Sequence, residues 1–350
     1  MNKNSLELTF LLLGTLLLWS AGAAGQVYQV PKTSSGAPDL NGMWNFNDST
    51  PFERPAQFDG REFLNSEEIE ARQTRQQISE ERRLARESGL ADRILDEPTN
   101  DTGAYNAFWS EYEEPYPNNR TSLLIYPADG RLPAIQPGVT IQRSPPGSNP
   151  CNDGGREFDR PVRISWGAAS CDRPEDFGLA SRCLMFPQTG PPHIKANTYN
   201  NNIRIVQTDD HIVIHAELGN DPRIIPLDGR PHIDERIRFW NGNSRGYFDG
   251  DTLVVVTRNM RAEMASLFQR TTSYGSARNR VLTERFTRVG DDAMDYEFTI
   301  EDPDTFTDRI TVKTNFSRLQ GQMFEYACHE GNYALTNMLR AARIEDVAND

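Results

Sequence analysis

The stretch NIRIVQT at 202–208 followed by HIVIHAEL at 211–218 decides the fold. Polar and apolar residues alternate in both pieces, the period-2 pattern of a strand with one buried face. Asp209-Asp210 between them is a tight turn, so the pair reads as a β-hairpin. The same grammar continues downstream. Arg223–Leu227 is a further strand, and Tyr247–Thr257 places Asp249-Gly250 between β-rich flanks. Val281–Val289, Met294–Ile300, Thr307–Thr314 and Gln322–Cys328 complete a meander, with turns at Asp291-Asp292 and Asp302-Pro303. The chain closes on a helix over Tyr333–Val347. Many strands joined by short turns give a mainly β fold, an antiparallel barrel or lipocalin-like calyx.

Upstream the character changes. Residues 26–64 are rich in Pro, Asp, Asn and aromatics, and read as an extended N-terminal arm anchored by Trp44, Phe46 and Phe52. Residues 65–89 are strongly helix-forming, with Asn65 and Glu68 spaced as a capping box. Ile69, Ile78 and Leu84 leave only a thin apolar stripe, so this is a charged surface helix. Residues 98–201 are loop-rich, with short apolar pieces at Ser122–Tyr126 and Arg163–Trp166. The expected organisation is therefore a leader at 1–25, arm and helix at 26–97, a loop-rich region at 98–201 and the β domain at 202–350.

The leader follows from its composition. Lys3 precedes an apolar run from Leu8 to Trp19, and small residues from Ser20 to Gly25 follow. That is the layout of a secretory signal peptide, and the run is short for a membrane span. Export to the periplasm or beyond is the expectation, with no stable membrane insertion once the leader is removed. The formal net charge of −13 disfavours a nucleic-acid partner, whose phosphates require basic surface. The four cysteines, Cys151, Cys171, Cys183 and Cys328, suit disulfides in an exported chain. Of the three possible pairings, Cys151–Cys171 and Cys183–Cys328 are favoured, the first pinning a loop and the second tying the middle of the chain to its C-terminal part.

Three places concentrate groups able to do chemistry. YACHEGN at 326–332 ends a candidate strand in His329-Glu330, which puts both at a sheet edge or barrel mouth, a common ligand position. RIIPLDGRPH at 223–232 crowds Asp228, Arg230 and His232 onto one loop. Alternation in HIVIHAEL places His215 and Glu217 on one strand face. Arg223, Arg230 and Arg245 stand at strand ends, where guanidinium groups would hold a carboxylate, sulfate or phosphate. In the fullest reading His329 is an acid/base oriented by Glu330 or Asp228, and His232 is the second proton-transfer group. No P-loop, dinucleotide fingerprint, H-E-x-x-H or G-x-S-x-G is present, so neither a cofactor nor a metal is expected.

PDLNGMWNF (38–46), RTSLLIYPADGRLP (120–133), RIIPLDGRPH (223–232), SRGYFDGDTLVVVT (244–257), LTERFTR (282–288) and YACHEGNY (326–333) stand in order along the chain. Together they resemble an essentially uncharacterised family of exported bacterial proteins. The resemblance implies a shared fold and an envelope location, and carries over no catalytic residue. A His-Asp-Ala-Arg run in that family is Asn220-Asp221-Pro222-Arg223 here. Three functions fit the sequence: an exported enzyme acting on a small organic molecule by acid/base chemistry (lyase, isomerase or hydrolase) in a calyx pocket, with arginines for an anionic substrate; a periplasmic small-molecule binding or carrier protein; or an envelope interaction protein.

Overall fold

The computed structural model describes residues 28–96, 118–143, 162–195, 199–219, 221–269 and 271–349. The leader, Cys151 and therefore the expected Cys151–Cys171 pairing lie outside these residues. Three strands precede the hairpin, β1 (Gly42–Asn45), β2 (Leu124–Tyr126) and β3 (Ile141–Arg143), and β4 (Asn202–Gln207) is its first strand. Then come β5 (His211–Ala216), β6 (Arg223–Pro226), β7 (Asn243–Asp249), β8 (Thr252–Arg258), β9 (Leu267–Gln269) and β10 (Thr272–Tyr274). β11 (Val281–Arg288), β12 (Ala293–Glu301) and β13 (Ile310–Arg318) end the series. The helices are α1 (Ser66–Asp96), α2 (Cys328–Gly331) and α3 (Tyr333–Asn349). None of the described helices is long and apolar enough to cross a membrane.

The main sheet is antiparallel and runs β6-β5-β4-β1-β13-β12-β11-β8-β7, with β2 added beside β13. Its two edge strands, β6 and β7, come back side by side, which makes the sheet a nearly closed barrel. That joint carries no strand ladder among the described residues and is packed by side chains instead. A Cβ on Gly246 would stand 2.9 Å from both Ile225 Cγ2 and Leu227 Cδ2, so glycine is what lets the edges approach. A small separate sheet has the order β3-β10-β9.

The inward phase of each strand builds the core. Leu282, Phe286, Met294, Phe298 and Ile300 are fully buried, as are Ile212 and Ile214 on the hairpin that sets the register. Aromatic rings fill the centre: Tyr296 lies against Phe316 with centroids 4.6 Å apart and planes at 29°. Fully burying one such side chain contributes roughly 1.5–3 kcal/mol, so the inward residues are the principal source of cohesion.

Three local expectations are corrected. Residues 42–45 are not part of an arm lying over the body: β1 sits between β4 and β13 and pairs with both. Trp44 is fully buried and its indole N–H donates to the Leu40 carbonyl at 3.1 Å. The barrel therefore draws strands from well outside 202–350. Gln322–Cys328 is not a strand, because β1 and β12 already flank β13 and leave no edge beside it. The chain instead crosses the outside of the barrel, where the Phe324 amide donates to Glu217 Oε1 at 3.0 Å. Finally, Ile78 and Leu84 on α1 are exposed, so the helix lacks even the thin buried stripe there. Its capping box is present, with Asn65 N–H on Glu68 Oε2 and Glu68 N–H on Asn65 Oδ1, both 2.9 Å.

Candidate functional site

Antiparallel register puts the ends of β1, β5, β8 and β12 at one mouth of the barrel, together with the starts of β4, β6, β7, β11 and β13. A cavity of about 640 Å³ opens at this mouth. Residues 48–53 enter it from the end of β1, Met264 and Ala265 from beyond β8, and Leu267 from β9. Gly190, Pro191, Pro192 and Ile194 form the wall toward the barrel interior, and Arg280 reaches it from just before β11. Most of the wall is apolar, with Phe52, Leu179, Met185, Phe186 and Phe268 prominent. Arg163, Lys195, Asp48 and Glu53 supply its charged groups besides Arg280.

The loop that roofs the cavity is tied down covalently. Cys183 and Cys328 are disulfide-bonded, as expected from the sequence, closing a separation of 145 residues. Phe186 packs edge-on against Tyr326 at 5.5 Å, so the C-terminal segment and the roof form one unit.

Directly behind the Gly190–Pro192 wall lies a buried polar network. Arg223 of β6 and Glu284 of β11 form a two-pronged ion pair, with Nη1 donating to Oε1 at 3.1 Å and Nη2 to Oε2. Arg223 Nη2 also reaches Thr257 Oγ1 at 3.3 Å and Ser244 Oγ at 3.4 Å. The Tyr296 hydroxyl donates to Glu284 Oε1 at 2.8 Å and accepts from the His193 backbone N–H at 3.1 Å. Arg223 Nη1 lies 3.5 Å from His193 Nε2. Because a guanidinium can only donate, Nε2 must be the bare nitrogen of a neutral ring.

The electrostatics agree with that assignment. Burial, and then the charge of Arg223, lower the His193 pKa to about 4. Burial pushes the Glu284 carboxyl up, but the charge and hydrogen bonds of Arg223 outweigh it and leave the pKa below the ordinary carboxylate value. Burial, reinforced by Glu284, raises the Tyr296 phenol well above its usual value. The network is thus an ionised pair with a neutral histidine beside it.

The residues singled out from the sequence fall in several places. Arg223 is in the network. Asp228 and Arg230 pair with each other on an exposed loop at the opposite mouth, where β6 leaves the barrel. The hydrogen bond from Arg230 lowers the Asp228 pKa to about 2. The loop then runs back along the β6–β7 joint: Arg245 Nε donates to the carbonyls of Arg230 at 3.1 Å and Pro231 at 3.0 Å, and His232 Nδ1 meets Asn243 Oδ1 at 3.1 Å. Burial lowers the pKa values of His232 and Arg245. His215 lies in the outward phase of β5, and Glu217, in the same phase, is covered by the Phe324 segment and also accepts from Asn202 Nδ2 at 2.7 Å. His329 and Glu330 are exposed on α2 rather than at a strand end. None of these lines the mouth cavity.

His193, Glu284, Tyr296 and Arg280 were not singled out in the sequence. Glu284 left a readable trace: it shares the inward phase of β11 with Leu282 and Phe286, and a carboxylate in that phase requires a buried cation. Arg223, Ser244, Thr257 and Glu284 also sit inside three of the motifs that carry the family resemblance.

No family model matches the chain and no curated protein is similar to it. Among solved structures, a secretory abundant heat soluble (SAHS) protein from Ramazzottius varieornatus matches 34% of this chain and 70% of that chain at 14% identity, with a TM-score of 0.21. A likeness of that extent carries no argument about this chain, whose barrel is read from its own strand pairing.

Proposed function

We propose that this chain is an exported small-molecule binding protein whose ligand occupies the cavity at the barrel mouth. The observation that carries the reading is the cavity itself. Its volume falls in the roughly 300–1,000 Å³ range of ligand pockets, and its wall is apolar with a few convergent polar groups. The acid/base groups expected from the sequence, His232, His329 and Arg230, do not line this cavity. A binding role in the periplasm also accords with the leader and with a disulfide across the roof.

Neutral Nile red titrated into the purified, oxidised mature chain tests this. Binding of about one dye per chain is expected, with at least a tenfold loss in Ala265→Trp, which fills the cavity from its wall. Absence of dye binding, or equal binding by a folded Ala265→Trp variant, overturns the reading.

A further inference from the structure

Arg280 is a cation on the cavity wall that is buried without an ion-pair partner among the described residues. Its side chain lies almost wholly out of water, and among the described residues no carboxylate stands within salt-bridge distance. Four of its five N–H donors are used. Nη1 donates to the carbonyls of Ser266 at 2.6 Å and Ala265 at 3.4 Å. Nη2 donates to the Pro191 carbonyl at 2.9 Å and to Met260 Sδ. The fifth, Nε, is buried with no hydrogen-bond partner among the described residues. Neutral carbonyls orient a guanidinium but do not cancel its charge, and a buried charge left uncompensated is costly.

The rest of the wall does not compensate it. Asp48 Oδ2 accepts from Asn118 Nδ2 at 3.0 Å and Thr314 Oγ1 at 2.7 Å, and its Oδ1 accepts from the Thr50 amide at 2.8 Å. Glu53 Oε2 accepts from the Leu132 amide at 3.0 Å. Asp302 and Glu284 favour the charged form of Arg280 from a distance, yet burial wins and the pKa falls to about 10. Arg163 and Lys195 add two more cationic side chains to the same wall.

Resting on the binding function proposed above, we infer that the ligand is an apolar organic acid, its hydrocarbon part against Phe52, Met185, Phe186 and Phe268 and its carboxylate drawn to Arg280. The anion would supply the missing counter-charge beside the guanidinium, in a largely water-excluded place where charges act more strongly than in water. The basis is the coincidence of an apolar wall with a buried cation that has no ion-pair partner among the described residues. An alcohol or ester of the same skeleton would fill the space and leave that cation unanswered.

Matched pairs of ligands test the inference: decanoate with 1-decanol, and 2-naphthoate with 2-naphthalenemethanol, each titrated into the oxidised mature chain by calorimetry. In at least one pair the acid is expected to bind tenfold or more tightly than its alcohol, with the preference shrinking as salt is raised. In Arg280→Gln the preference should vanish while alcohol binding persists. Should loss of the three carbonyl contacts unfold that variant, Arg280→Lys, which keeps the charge, is expected to retain part of the preference, and the wild-type acid-to-alcohol ratio stands as a test by itself. Equal binding of acids and alcohols, or a preference undiminished in folded Arg280→Gln, overturns the organic-acid assignment and leaves the binding function intact. Alcohols and acids both failing, together with Nile red, overturns the two together.

Discussion

Strand β6 begins with one arginine and the loop after it carries another, and the two lead opposite lives. Arg223 is buried against Glu284, separated by 61 residues in sequence and joined across the barrel interior. Arg230, just past the other end, pairs with Asp228 two residues away on an exposed loop. The chemistry is the same, a guanidinium on a carboxylate. What differs is the solvent. In water the ions were already well solvated, so the exposed pair adds little. In the core, each partner is the other's counter-charge, so removal of either leaves a stranded charge. An ion pair's structural importance therefore follows from its burial and not from its geometry.

The largest expected effect tests the buried side of this contrast. Glu284→Gln should destabilise the fold by about 3–5 kcal/mol in urea unfolding, because Arg223 remains buried without its anion. A loss no greater than that of a surface substitution would break the contrast. The double variant Arg223→Met/Glu284→Leu should recover most of that loss, since apolar side chains of similar volume commonly replace a buried pair at little cost. If it is no better than Glu284→Gln, then the hydrogen bonds to Ser244, Thr257 and Tyr296 carry more than the charges do.

Acid sharpens the same contrast. His193 titrates near 4 in the folded chain and near 6.5 when unfolded, so between those values the unfolded state binds the extra proton. Stability is therefore complete above about pH 6.5 and falls as the pH is lowered toward 4, by roughly 3 kcal/mol over the window. Urea unfolding at pH 7 and pH 4.5 should show the loss in the wild type and much less of it in His193→Gln. Asp228→Asn is the smallest effect: thermal unfolding at neutral pH should be unchanged, as expected for an exposed pair. A clear drop in melting temperature would mean that the loop at the far mouth does more than close a turn.

The same distinction explains what the sequence made legible. Residues 202–218 and 281–301 announce their strands because alternation is a local property, and paired aspartates mark their turns. β1 has four residues, too few for a period to show, and its place between β4 and β13 depends on partners far along the chain. The exposed Asp228–Arg230 pair caught the eye because its members are neighbours in sequence. The buried network drew on positions 193, 223, 257, 284 and 296, where only tertiary structure makes neighbours. Its one local signal, an acidic residue in the inward phase of β11, required reading charge against phase rather than counting charges.

The unladdered joint between β6 and β7 has a dynamic consequence. A ring of strands with one side-chain-only joint is a split ring, and a split ring gives way at the split. Backbone amides in β6 and β7 should exchange with deuterium first, because opening there breaks the fewest hydrogen bonds. Protection should rise strand by strand around both arms and peak at β13, which lies opposite the split. Arg223, on one lip, and its contacts Ser244 and Thr257, on and beside the other, make the buried network the clasp of that ring.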